Sequence, residues 1–236
     1  MGIKKGLKEI KAYQDELERR KEAGSKPKTN WLNIPDGKTF SVRFLQELDE
    51  DAPGYSEERG VGFFATEHSN PDDYRKKALC TIEDGACYGC EQKELFYKAG
   101  DNTRGGGWKA KTRLYINVLV KDDKGKEEVA VMSQANGSKS VVAPMVLQQA
   151  IDEGTITDRW WKIKRTGQKA ETSYLPMPGA PKDDVKLDEY ELFDLNNCVR
   201  EVPYDEQEAH YSVVADRPDE DARPAAKATT DTSEEW

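Results

Sequence analysis

Hydrophobic and polar residues alternate along much of this chain, and the alternation predicts β-strands. Within residues 37–48, Phe40, Val42 and Phe44 recur at every second position, and Arg43 belongs to the opposite face. Successive side chains of a strand point to opposite faces, so this period is typical of a strand with one buried side. We therefore predict a first strand here, with Arg43 on its polar side.

The segment 108–120 has the most regular alternation. One face is apolar and suits a protein core: it consists of Leu114, Ile116, Val118 and Val120. The other face mixes cations with an aromatic ring: it consists of Lys109, Lys111, Arg113, Tyr115 and Asn117. Residues 122–125 are typical of a hairpin turn, and residues 127–135 of the returning strand. A short helix is predicted over residues 143–153.

Two more strands are predicted after this helix. In residues 159–167, Trp161 and Ile163 alternate with Trp160, Lys162 and Lys164, and a last strand is expected near residues 172–177. About five strands, with a helix before the fourth, match the order of an OB-type Greek-key barrel. The predicted fold class is therefore mainly β, an OB-fold-like five-stranded barrel.

The polar faces of two of these strands predict a nucleic-acid contact. Each places an aromatic residue, Tyr115 or Trp160, beside lysine or arginine. Cations follow the phosphates of a single strand while aromatic rings stack on unpaired bases, at about 1–3 kcal/mol per stack. Ordinary packing or a solvated face remains the alternative. The candidate DNA-binding residues are Arg43, Trp108, Lys109, Lys111, Arg113, Tyr115, Lys139, Trp160, Lys162, Lys164 and Arg165.

Residues 68–90 contain three of the four cysteines and one of the two histidines. His68, Cys80 and the Cys87-x-x-Cys90 pair supply four N/S ligands, which is what a tetrahedral structural zinc site requires. Reduced core cysteines are the alternative, and a redox pair is less favoured because no thioredoxin-like βαβ pattern surrounds it. Four ligands leave no open position, so we expect a closed structural zinc and no enzymatic activity.

The predicted organisation has three parts. Residues 1–30 form a basic arm, in which apolar residues at helical spacing predict an amphipathic helix ending at Gly24. Residues 31–200 form the DNA-binding core, with the zinc lobe inserted at about 61–98 and a flexible glycine-rich connector at 100–107. Residues 201–236 form an acidic, flexible tail.

The charge of the chain is unevenly distributed, and this affects which partners are expected. The net charge is −9 over 236 residues, yet residues 104–169 carry thirteen Lys/Arg against seven Asp/Glu, and residues 205–236 carry three against ten. A basic middle with an acidic tail is expected of a polyanion binder that carries its own competitor. A plain solubilising tail is the alternative. The last residues, Glu234, Glu235 and Trp236, could bind protein partners.

No apolar run approaches the length of a membrane span, so we expect a soluble protein with no membrane partner. Cysteines clustered for a metal favour a reducing compartment, and we expect a cytoplasmic protein.

Taken in order, these features resemble the helix-destabilising single-stranded-DNA-binding proteins of T-even and related bacteriophages. The likeness rests on the arm, the strand at 38–48, the ligand order from His68 to Cys90, and the acidic tail. It implies coating of single-stranded DNA in phage replication, recombination and repair inside the bacterial host. It also implies contacts with other copies along the DNA, and recruitment of replication or recombination proteins by the tail.

Other functions remain open at this stage. A zinc-stabilised protein–protein adaptor and a zinc-dependent nucleic-acid enzyme are the alternatives, and the sequence does not separate a DNA partner from an RNA one.

Overall fold

The structure is a computed structural model that describes residues 29–136, 141–168, 171–182 and 185–212. It is mainly β, and its strands form one antiparallel open sheet of seven strands in the described residues. The strands are β1 (Thr39–Phe44), β2 (Phe63–Ser69), β3 (Lys77–Leu79), β4 (Lys111–Lys121), β5 (Glu127–Ala135), β6 (Arg159–Thr166) and β7 (Ser173–Pro181). The helices are α1 (Tyr88–Lys98), α2 (Asn102–Gly107), α3 (Val142–Glu153) and α4 (Tyr204–Tyr211).

Strand β4 organises the sheet. The order runs β3-β2-β4-β1-β6-β7, and β5 pairs with β4 as well. Along one edge of β4, residues 111–115 pair with β2 and residues 118–121 pair with β1, whereas β5 follows the other edge from 113 to 121. β4 therefore joins the lobe that contains β2 and β3 to the rest of the sheet.

The five strands predicted from alternation are present as β1, β4, β5, β6 and β7, and the helix predicted before the fourth is α3. The two further strands, β2 and β3, belong to the inserted lobe, where polar ligand residues interrupt any simple alternation. Within the described residues no pairing joins β5 to β7, so a closed barrel is not shown.

One face of the sheet forms the main core as the alternation predicts. Val42, Phe44 and Trp161 are fully buried, with the Phe44 and Trp161 rings packed edge to face at 5.5 Å. Helix α3 covers this face with Val142 and other apolar residues. Burying each such side chain contributes about 1.5–3 kcal/mol, and this face has the largest cluster of buried apolar residues in the described part of the chain.

The other face of β4 is also buried at its centre, which corrects the prediction that it faces water. Tyr115 is fully buried together with Val131, under a segment that includes Leu195 and Cys198. The amide of Asn117 fixes this cover, because its Nδ2 donates to the carbonyl of Phe193 at 2.9 Å and its Oδ1 accepts from the Phe193 N–H at 3.0 Å.

The glycine-rich stretch at 100–107 is helical, which corrects the predicted flexible connector. Helix α2 begins after Asp101, whose side chain accepts from the Arg104 N–H at 2.9 Å. A Cβ on Gly105 would lie 3.0 Å from the Tyr97 ring, and one on Gly107 would lie 2.6 Å from the Pro71 side chain. The glycines therefore allow α2 to pack closely against its neighbours.

The chain remains ordered beyond residue 201, where the tail was predicted to begin. Helix α4 packs on the inserted lobe up to Tyr211, which is 2% exposed. Residues 1–28 of the arm, Lys139, and tail residues 213–236, with Glu234, Glu235 and Trp236, lie outside the described residues. In the described part of the chain, no helix combines the length and apolar character needed to cross a membrane.

Candidate metal centre and cationic sheet face

His68 lies in β2 and is fully buried. Its Nδ1 is 2.6 Å from the carbonyl oxygen of Trp108, which can only accept, so Nδ1 carries the proton and donates. The Nε2 lone pair is then directed at the cysteine cluster, 3.3 Å from Cys90 Sγ. A backbone carbonyl that orients the imidazole in this way is the usual support of a metal-binding histidine.

The three cysteines reach the same point from different elements. Cys80 follows β3, where its N–H donates to the Thr66 carbonyl at 2.8 Å, while Cys87 precedes α1 and Cys90 lies in its first turn. The ligand atoms of all four residues lie within 4.8 Å of one another, and all three thiols are free of disulfides. The spacing predicted from sequence is thus confirmed as a cluster that could hold a metal ion.

Gly89 makes this geometry possible. A Cβ at this position would lie 2.4 Å from Cγ of His68, closer than two carbon atoms can approach. Glycine inside the Cys-x-x-Cys loop therefore allows α1 to lie directly against the imidazole.

The electrostatics of the cluster favour a cation. Burial opposes ionisation of Cys87, yet its interaction with the His68 imidazole and hydrogen bonds from the backbone lower the pKa of this thiol to about 6. Burial and the two neighbouring cysteines raise the pKa of Cys90 to about 12, and burial also raises the pKa of Cys80. A thiolate at one cysteine therefore disfavours ionisation of the other two by electrostatic repulsion. A central divalent ion would offset this repulsion.

Helix α4 braces the loops that carry the ligands. Gln207 is fully buried: its Oε1 accepts from the Tyr88 N–H, and its Nε2 donates to Thr81 Oγ1 and to the Val202 carbonyl, each at 2.9 Å. Tyr88 adjoins Cys87 and Thr81 adjoins Cys80 in the sequence. One side chain therefore links both cysteine loops to the C-terminal helix.

Trp108 belongs to this lobe and not to a DNA-binding surface, which corrects its predicted role. It is 5% exposed, and its ring packs edge to face with Tyr211 at 5.0 Å and with Tyr88 at 6.0 Å. Such aromatic pairs contribute about 0.5–1.5 kcal/mol beyond area burial. Trp108 thus supports His68 through its backbone carbonyl, while its ring belongs to the small apolar core of the same lobe.

A second candidate site is the outer face of β1, β6 and β7. Lys162 and Lys164 are exposed on β6, and Trp160 on the same face is half-buried. The residues directly opposite on the flanking strands share this face: Thr39, Ser41 and Arg43 on β1, and Leu175 and Met177 on β7. None of them is acidic, and Leu175 and Met177 are 53% and 41% exposed. We call this surface the cationic sheet face.

Two predicted members of the DNA-binding set are directed elsewhere. Arg43 is 2% exposed and its Nη1 donates to the Lys182 carbonyl at 2.8 Å, so it supports the loop after β7. Arg165 alternates with Lys164 and its Nη1 donates to the Ile34 carbonyl at 2.9 Å. Both guanidinium groups satisfy backbone carbonyls, which alternation alone did not indicate.

The remaining predicted cations are far from the cationic sheet face. Lys109 and Lys111 are exposed and Arg113 is half-buried, at the end of β4 that pairs with β2. Leu119 lies opposite Arg43 in the sheet, and six strand positions separate it from Arg113, which is about 20 Å at 3.3 Å per residue. The continuous cationic and aromatic wall predicted from sequence is therefore interrupted by the buried centre around Tyr115.

Tyr115 forms a buried network that the sequence did not reveal. Its hydroxyl donates to Glu67 at 2.5 Å and accepts from Lys77 Nζ at 2.8 Å. Burial is the main reason that the pKa of Tyr115 is raised. An acid, a phenol and an amine thus form one network at the base of the lobe, and Lys77 Nζ lies 3.2 Å from Glu67 Oε1 as its ion-pair partner.

Comparison of the chain with family models, with curated proteins and with solved structures finds no match in any of the three.

Proposed function

We propose that the protein binds single-stranded DNA without sequence specificity and without catalysis, and that His68, Cys80, Cys87 and Cys90 hold a structural zinc ion. The observation that carries the proposal is the cationic sheet face, where Lys162, Lys164 and Trp160 lie together and none of the residues directly opposite them on β1 and β7 is acidic. This combination suits a flexible polyanion whose unpaired bases offer flat rings.

The strand order supports the same proposal. Without the inserted lobe, β1, β4, β5, helix α3, β6 and β7 follow one another as in an OB-type fold, with the helix before the fourth strand. The likeness to bacteriophage helix-destabilising proteins remains part of the proposal. Within it, the tail would recruit replication or recombination proteins, and copies of the chain would coat DNA in the host cytoplasm.

Zinc is proposed from the donor set. Three thiolates and one imidazole are soft ligands that favour zinc over magnesium or calcium, and four of them complete a tetrahedral shell. The described residues place no carboxylate in this cluster. When bound, zinc would hold the loops around α1 together; the chain's own residues orient His68 and anchor the helix.

Titration of the full-length chain with oligo(dT), oligo(U) and duplex DNA at two salt concentrations tests the proposal. Lys162→Ala/Lys164→Ala should make the slope of log K against log salt concentration less steep by roughly 0.7 per lost phosphate contact. Trp160→Ala should cost about 1–3 kcal/mol of binding free energy. Lys93→Ala/Lys98→Ala on α1 removes the same charge and is the matched control. Equal affinity for duplex and single strand, or equal effects of both double variants, would refute the proposal.

A further inference from the structure

A groove runs along the free side of β2, away from the cationic sheet face. Two cavities of about 510 Å³ each meet there, since Phe63 and Asn196 line both. Phe64 and Ile82 expose 37% and 51% of their surface in this region. The groove therefore offers apolar contacts along the edge of a strand.

The backbone of β2 offers hydrogen bonds on the same side. The Gly62 N–H donates to the Glu47 carbonyl and the Thr66 carbonyl accepts from the Cys80 N–H, each at 2.8 Å. Backbone groups of alternate strand residues point the same way, so those of Phe64 point into the groove between these two bonds. Among the described residues, no backbone group pairs with Phe64 on this side.

The rim of the groove is acidic. Glu57, Glu58 and Asp194 line one cavity, and Glu83 and Glu201 line the other; all five are exposed. Arg59 is the one cation in the described lining, and its guanidinium lies 3.4 Å from Asp188. An unpaired strand edge with apolar side chains and an acidic rim suits an extended basic segment.

The chain itself contains a basic segment, and this segment joins the described fold beside the groove. Residues 1–28 carry nine Lys/Arg against five Asp/Glu. They join the described fold at Thr29, whose side chain hydrogen-bonds Cys198. Cys198 lies in the same short 3-10 helix as Asn196, which lines both cavities. The basic segment thus enters the fold within a few residues of the acidic rim.

We propose that the groove binds the chain's own N-terminal segment, residues 1–28, with the residues that follow the predicted helix paired in extended form to the backbone of Phe64. This intramolecular contact does not depend on nucleic-acid binding. Lysines of the segment would pair with the acidic rim, and the apolar floor would bury their aliphatic stems.

Carbodiimide cross-linking of the full-length chain, read by mass spectrometry, tests the contact because it joins lysine to carboxylate only at ion-pair distance. Lysines of residues 1–28 should link to Glu57, Glu58, Glu83 or Glu201, and the links should disappear in high salt, where charges are screened within about 3 Å. A mixture of isotopically light and heavy chains should give links within single chains. Links found only between chains, or only to acids outside the groove, would overturn the proposal.

Trypsin cleavage after Lys28 gives an independent readout. Glu83→Gln/Glu201→Gln should speed this cleavage by about threefold to tenfold, since each exposed ion pair contributes little by itself. Asp152→Asn/Glu153→Gln on α3 makes the same charge change on another surface and should leave the rate unchanged. Equal rates in both double variants would overturn the proposal.

Discussion

Replacement of Gln207 by alanine tests whether helix α4 controls the metal centre. The side chain is fully buried and makes three hydrogen bonds, two of them to the loops that carry Cys80 and Cys87. Truncation leaves the partly buried Tyr88 N–H without its partner, at about 1–3 kcal/mol, and removes buried side-chain volume as well. We expect a total loss of about 2–4 kcal/mol in the docking of α4.

The measurement is the rate at which the zinc-loaded full-length chain releases its metal to a coloured chelator. If the cluster opens only when α4 undocks, a 2 kcal/mol loss makes release about thirtyfold faster, since 1.4 kcal/mol is a factor of ten. Amide exchange over residues 204–212 should accelerate in parallel. Gln148→Ala on the exposed face of α3 is the matched control and should change neither rate.

One result would refute the reasoning about Gln207. If Gln207→Ala exchanged its α4 amides at least tenfold faster yet released zinc within twofold of the original rate, the cluster would hold its metal without the brace. The buried glutamine would then serve only to attach the C-terminal helix.

Three other predictions concern single residues. Gly89→Ala should lower zinc affinity at least tenfold in a competition titration, because the new Cβ occupies the space of the His68 ring; unchanged affinity would contradict the geometry. Tyr115→Phe should cost about 1–3 kcal/mol in urea unfolding through its lost bond to Glu67, with oligo(dT) affinity unchanged because the ring is buried. Burial lowers the pKa of His210 in the folded protein below 6.5. The contribution of the neutral side chain to stability is therefore present above pH 6.5 and is lost as the pH falls through the folded pKa. His210→Asn should therefore show less acid-induced loss of stability than the original chain, and an identical pH profile would contradict this.

The Cys/His cluster was predictable from sequence because metal binding requires particular side chains at short spacing. Cys87 and Cys90 need only one helical turn to meet, and His68 and Cys80 flank a single hairpin. The brace by Gln207 was not predictable in this way. A glutamine among acidic residues near the C-terminus is typical of a solvated helix, and only the packed lobe shows its amide to be buried.

The alternation of β4 correctly predicted a strand but not what covers its second face. Tyr115 and Asn117 are polar enough to suggest solvent, yet Asn117 bonds both backbone groups of Phe193 and Tyr115 bonds Glu67. A polar side chain on a strand can face water or form hydrogen bonds with a distant backbone segment. Phe193 in the covering segment lies 76 residues after Asn117, so no local pattern could indicate it.

The positions of the two candidate sites separate their roles. The Cys/His cluster lies at the end of β4 that pairs with β2, and the cationic sheet face lies beyond the other end of β4. The buried centre around Tyr115 lies between them. A metal ion at the cluster would therefore not contact DNA bound near Lys162, and it would affect such binding only through the stability of the fold. Chelation should accordingly weaken oligo(dT) binding only at temperatures where the lobe and α4 also lose protection from amide exchange.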